Sequence, residues 1–151
     1  MNALETAAPS ANPFARALTN EYRDVARFEI SQILDMKDYP YFAEKGLAAA
    51  TTTAPLPADP HEWSLNTRDQ PQLRVVRHRL AAKLAKGVNS ILPKTATGAQ
   101  VSYDCWVEQQ EKGGQPDGIA ACGDRFNHTM AKINASKALL RAVFFPSVAN
   151  G

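Results

Sequence analysis

The sequence predicts an all-α domain of about five helices, folded as antiparallel hairpins of the kind seen in helical repeats and stapled by one disulfide. Three observations lead there. Apolar residues recur at three-to-four spacing through most of the chain, Pro and Gly clusters interrupt that rhythm at a few points, and the two cysteines stand symmetrically about one of those points. Cys105 lies eight residues before Gly113 and Cys122 eight residues after Gly114. If the flanking helices fold back antiparallel, residues equidistant from the turn come abreast, so this spacing favours a covalent staple across a helical hairpin.

At 151 residues the chain fits one domain with a modest core. We divide it into a flexible leader (1–12), a helical domain (13–143) and a tail (144–151). An apolar share of 44% and a charged share of 21% argue against wholesale disorder. A net charge of +2 exerts no strong global pull toward nucleic acid or anionic lipid. No apolar run approaches the roughly 20 residues needed to span a bilayer. Met1 to Asn12 lacks the basic start and apolar stretch of a signal peptide, so the protein is expected to be either cytosolic or a mature form whose leader has been removed.

The first helix begins at Asn12-Pro13, a cap followed by a first-turn proline, and carries Phe14, Leu18, Tyr22, Val25, Ile30 and Ile33 on one side. A second starts near Asp38, with Pro40 in its first turn and Phe42, Ala43, Leu47 and Ala50 as its apolar side. Residues 51–70 break the periodicity with Pro55, Pro57 and Pro60, and Pro71 follows. So long a connector is uncommon in a small domain unless it packs on the surface or serves a purpose. Trp63 and Leu65 suit anchors for it, since a large aromatic usually buries its area; the other reading of Trp63 is a partner contact. A third helix runs from about Gln70 to Ile91 on Leu73, Val76, Leu80, Leu84, Val88 and Ile91, and Pro93 ends it. A fourth spans about 95–111 and buries Ala99, Tyr103, Trp106 and Val107. The fifth opens at Pro116-Asp117 and buries Ile119, Cys122, Phe126, Met130, Ile133 and Leu140.

Little in the sequence points to catalysis. Arg74, Arg77, Arg79, Lys83 and Lys86 form the densest basic cluster, readable as a docking strip for phosphate-rich or acidic partners or as a solvated face. No aromatic residues interleave with them to stack bases, which weighs against nucleic acid. Cys105 and Cys122 fit a disulfide, two buried thiols or a metal pair, and a bond between them closes a loop of 18 residues counting both ends. Zinc normally takes four ligands, and His61, His78 and His128 are scattered. Glu108 and Glu111 share one side of the fourth helix, facing Lys112 or solvent, and are not marked as an acid/base couple. Ser102 and Ser136 lack a nucleophile-elbow context. The expectation is a non-enzyme with no metal or cofactor, whose partner surface is the Trp63 loop, the basic face, or the tail with Phe144 and Phe145.

Several phrases occur in one order: Asn12-Pro-Phe-Ala-Arg-Ala-Leu-Thr-Asn-Glu-Tyr22, Tyr41-Phe-Ala-Glu-Lys-Gly-Leu-Ala-Ala-Ala50, Leu56-Pro57 with Glu62-Trp63, Tyr103-Asp-Cys-Trp-Val-Glu-Gln-Gln-Glu111 and Gln115-Pro-Asp-Gly-Ile-Ala-Ala-Cys122. Over roughly 12–126 the chain resembles the N-terminal helical region of OmpA-family outer-membrane lipoproteins. The resemblance implies a periplasmic, outer-membrane-associated setting, which agrees with the disulfide reading because disulfides persist in oxidising compartments. It also implies a scaffolding or accessory role through protein–protein contacts in the envelope. In that family a lipidated cysteine precedes the region and a peptidoglycan-binding domain follows it. Neither has a counterpart in these residues, so peptidoglycan contact is expected only through a domain outside them and no family ligand residue carries over. The alternative is a cytosolic nucleic-acid- or phosphate-binding helical module using the basic face of the third helix.

Overall fold

The computed structural model describes residues 2–33, 39–51, 53–111 and 115–144, with side chains described over 3–31, 40–51, 53–111 and 115–136. These residues are helical or irregular, with no strand among them. The order is α1 (Asn2–Thr6), α2 (Pro13–Ile33), α3 (Tyr39–Thr51), a short 3-10 turn (Pro60–Glu62), α4 (Asp69–Ala85), α5 (Val88–Ile91), α6 (Pro93–Glu111) and α7 (Pro116–Phe144).

α2 starts as its sequence dictates. Asn12 Oδ1 accepts from the amides of Phe14 and Ala15 at 2.9 and 3.1 Å, satisfying two donors that the first turn leaves open. Its buried stripe is Phe14, Leu18, Tyr22 and Ala26, continued by Glu29. α3 packs back on it as a helical hairpin, with Phe42, Gly46 and Ala49 inward.

Where the sequence reads as a tether, Asn2–Thr6 forms α1, and Leu4 is buried. Arg23 donates to the Leu4 carbonyl from Nε and Nη2, and Arg27 grips Glu5 through two bonds. The seat for Leu4 is Gly46. A methyl group there would stand 3.0 and 3.1 Å from the two Leu4 methyls and 3.2 Å from Tyr22 Cβ. Gly46→Ala therefore sets a helix-propensity gain of about 1 kcal/mol against lost packing, and the overall stability moves little. The effect is local: the methyl NMR signals of Leu4 shift toward free-chain positions. Unmoved signals would show that α1 does not depend on this close approach.

The expected third helix divides in two. Gly87 adopts φ 90°, a left-handed conformation open to glycine, and its amide donates to Leu84 O at 3.0 Å. α4 ends at Ala85, the chain turns into α5, and Ile91 becomes exposed instead of completing the apolar stripe. Pro93 does not merely stop the preceding helix. It is the first residue of α6, where a missing amide costs nothing.

α6 is the axis of the fold. Ala96 and Val101 pack with α2 and α3 residues around Phe14, Tyr22 and Phe42. Ala99, Tyr103 and Val107 pack with Leu73, Leu80, Phe126 and Ile133 of α4 and α7. A helix enclosed on both sides has no solvent face to spare, and its polar residues Thr97, Gln100, Ser102, Asp104 and Glu108 are buried as well.

α6 and α7 form the second hairpin. Cys105 is bonded to Cys122 with Cα atoms 5.8 Å apart, as the spacing predicts. Gly118 lies against Gln109 and Gly98 against Thr129, and all three pairs are centred between residues 113 and 114. The double-glycine bend itself lies outside the described residues. α7 runs on to Phe144, one residue past the domain boundary read from the sequence.

Candidate interaction surfaces

The connector between α3 and α4 is held by side chains of the core, and its prolines explain why. Proline has no amide proton, so the run from Pro55 to Pro60 has few donors of its own and its carbonyls need partners from elsewhere. Gln100 Nε2 donates to Pro55 O at 2.7 Å, and Lys45 Nζ to Leu56 O at 2.8 Å. Arg77 Nε donates to Pro57 O at 3.2 Å and to Ala58 O at 3.0 Å. The Ala58 amide in turn donates to Asp104 Oδ1 at 2.8 Å.

Asp104 is the centre of this network. Its Oδ2 accepts from Tyr22 Oη at 2.6 Å and from Lys45 Nζ at 2.5 Å, and the carboxylate has no solvent exposure. Lys45 spends its three protons on Asp104, Leu56 O and Tyr41 Oη, so the buried ammonium is fully bonded. Its Nζ also stands 5.3 Å from the ring centroids of both Tyr22 and Tyr41. Burial, reinforced by the Asp104 charge, raises the Tyr22 hydroxyl well above the usual phenol range, so it remains a donor to Asp104. Burial raises Tyr41 and Tyr103 in the same direction. With three donors on one enclosed carboxylate, no solute reaches Asp104 unless the connector moves.

Beyond Ala58 the connector is closed by apolar and capping contacts. Asp59 Oδ1 caps the 3-10 turn through the His61 amide at 3.0 Å. Trp63 meets the ring of Tyr41 edge-on at 4.8 Å and packs with the α4, α6 and α7 core. Its position is that of an anchor, and Leu65 packs beside it.

The basic residues of the third predicted helix do not form one strip. Arg74, Arg77 and Arg79 line an open groove of about 690 Å³ between α4 and the 3-10 turn, together with His61 and His78. Lys83 and Lys86 border a different, mostly apolar pocket of about 100 Å³ with Val88, Ile91, Leu92 and Ile133. Phe144 is the last residue of α7; its side chain and all of Phe145 lie outside what is described. His128 is exposed on α7 and does not line this groove.

Sequence reasoning missed two places. Glu108, expected to face solvent or Lys112, is buried and bonds to Gln109 Nε2 at 2.9 Å. With Glu29, also buried, it lines a cavity of about 590 Å³ beside the disulfide, where Phe28 is exposed and Arg125 pairs with Glu21. The signal for Glu29 was present, since it continues the Tyr22–Ala26 stripe, but a carboxylate is not read as a core residue. The Asp104 network was missed for the same reason. Among the described residues no group of histidine, cysteine and carboxylate side chains could hold a metal ion, and no helix is long and apolar enough to cross a membrane. Compared with protein-family models, curated proteins and solved structures, the chain matches none.

Proposed function

We propose that this protein is a non-catalytic scaffold or accessory subunit of the cell envelope, periplasmic or outer-membrane-associated, that works by holding a rigid helical surface against a protein partner. The observation that carries this reading is the Cys105–Cys122 bond between α6 and α7, because such bonds persist in oxidising compartments and are rare in reducing ones. The likeness to the helical region of OmpA-family lipoproteins points the same way. Its phrases contain Tyr22, Lys45, Leu56 and Asp104, which meet in one network in the fold. That network fixes an otherwise hydrogen-bond-poor loop, which suits a presented surface better than a reaction site.

The test is the redox state in the native compartment. Protein recovered after rapid thiol alkylation is digested and weighed with and without reductant. A cross-linked peptide pair containing Cys105 and Cys122 is the expected result. Two alkylated thiols at those positions would overturn the envelope placement.

A further inference from the structure

We propose that the groove between α4 and the 3-10 turn docks a short acidic segment of the protein partner, an inference that rests on the scaffold reading and names the partner's chemistry. The groove follows α4 from Pro71 to Ala81, which at 1.5 Å per residue is about 15 Å. That length accommodates about four or five residues of extended chain.

Its charge is one-sided. Arg74, Arg77 and Arg79 line it, and the one carboxylate in the lining, Asp59, already caps the 3-10 turn. Four described arginines elsewhere are engaged, Arg27 with Glu5, Arg125 with Glu21, and Arg16 and Arg23 with backbone carbonyls, while the guanidinium of exposed Arg68 has no partner among the described residues. Arg74 and Arg79 also have no ion-pair or hydrogen-bond partner among the described residues, and both are exposed. Arg77 is different again. It is half-buried and clamped on Pro57 O and Ala58 O, so the facing wall of the groove is held at a fixed distance. A site organised before binding spends less on ordering when a ligand arrives.

The same lining favours a peptide over nucleic acid. No phenylalanine, tyrosine or tryptophan stands among these residues, the only rings being the small imidazoles of His61 and His78, and the arginines from 74 to 79 cover less than about two helical turns. It does offer an apolar contact. Val75 is 54% exposed in the groove, with Pro60 and Pro71 nearby, so an aliphatic residue set among the carboxylates fits it.

The probe is a fluorescein-labelled pentapeptide of four glutamates around a central leucine, with a glutamine counterpart as control. Binding to the full chain is followed by anisotropy at low salt. The glutamate peptide binds, the glutamine peptide does not, and the double variant Arg74→Glu/Arg79→Glu weakens binding by about tenfold or more. Lys94→Glu, exposed at the start of α6, changes it by less than about twofold. Far-UV circular dichroism and melting show that both variants keep the parental fold. No binding of the glutamate peptide, equal binding of both peptides, or affinity untouched by the double variant would overturn the proposal. So would tighter binding of a single-stranded oligonucleotide that the double variant abolishes. Failure of peptide binding with the disulfide intact in its compartment removes this groove and leaves the scaffold reading standing. Free thiols in the compartment remove that reading whatever the peptide does.

Discussion

Replacing Asp104 by alanine lowers the unfolding free energy by about 3–5 kcal/mol, the cost typical of removing one partner from a buried ion pair. The size follows from what is left behind. Lys45 keeps its place beneath the connector, with only 10% of its side chain exposed, and loses the charge that balances it. Tyr22 Oη and the Ala58 amide lose their acceptor in the same step. Urea unfolding of the variant measures the loss, which is a large part of the 5–15 kcal/mol that a domain normally possesses. Proteolysis adds a local readout, because the connector from residue 53 to residue 60 should be cut in the variant under conditions where the parent is resistant. The pairing is tested by adding Lys45→Met. If Asp104 and Lys45 act as a pair, the double variant is less destabilised than the two single changes added together, by about 1 kcal/mol or more. Strict additivity would show that Asp104 serves only as a hydrogen-bond acceptor for the connector.

This network also marks where reading the sequence stops. Periodicity places apolar residues inside and charges outside, and that rule located Phe14, Leu18 and Tyr22 in α2, Cys122, Phe126 and Ile133 in α7, and the hairpin that holds the cysteines, while the side chains of Ile33 and Leu140 lie outside the described residues. The rule depends on each helix having a wet side. Beyond Lys94, α6 has no exposed residue: Ala96 and Val101 face one half of the core while Ala99, Tyr103 and Val107 face the other. Gln100, Asp104 and Glu108 are therefore enclosed by position, and the prolines of the connector supply a reason for two of them to be polar. A long loop rich in proline beside a helix with apolar residues on every face is the pattern that could have revealed it. Gly87 failed differently. One glycine within a helical rhythm is tolerable, and only its left-handed backbone shows that the helix ends there. The basic residues of the groove were legible as a cluster, but its opposite wall comes from the connector, and no periodic argument brings residue 61 to residue 78.

Removing the disulfide, by reduction or by the double variant Cys105→Ala/Cys122→Ala, costs about 3 kcal/mol for a loop of this length. For a domain of about 150 residues this corresponds to a drop in melting temperature of roughly 6–12 °C. Alanine is the better substitute here, because serine would add hydroxyls at one buried and one half-buried position. The bond does more than shorten the unfolded chain's reach. α7 carries Gly118 and Gly123 in its first two turns, and each weakens a helix interior by about 1 kcal/mol relative to alanine. A methyl on Gly118 would come within 2.5 Å of Gln109 Oε1, the tip of a flexible side chain, and one on Gly123 would rest 3.5 Å from the Trp106 ring, an ordinary contact. The covalent link at residue 122 lies between these two glycines and ties the locally weakened turns of α7 to α6. Hydrogen exchange in the reduced protein should accordingly rise most in residues 116–126, while α2 and α3 keep their protection. A thermal shift below about 2 °C, with exchange in α7 unchanged, would mean that packing against Trp106 and Phe126 holds the hairpin without the bond.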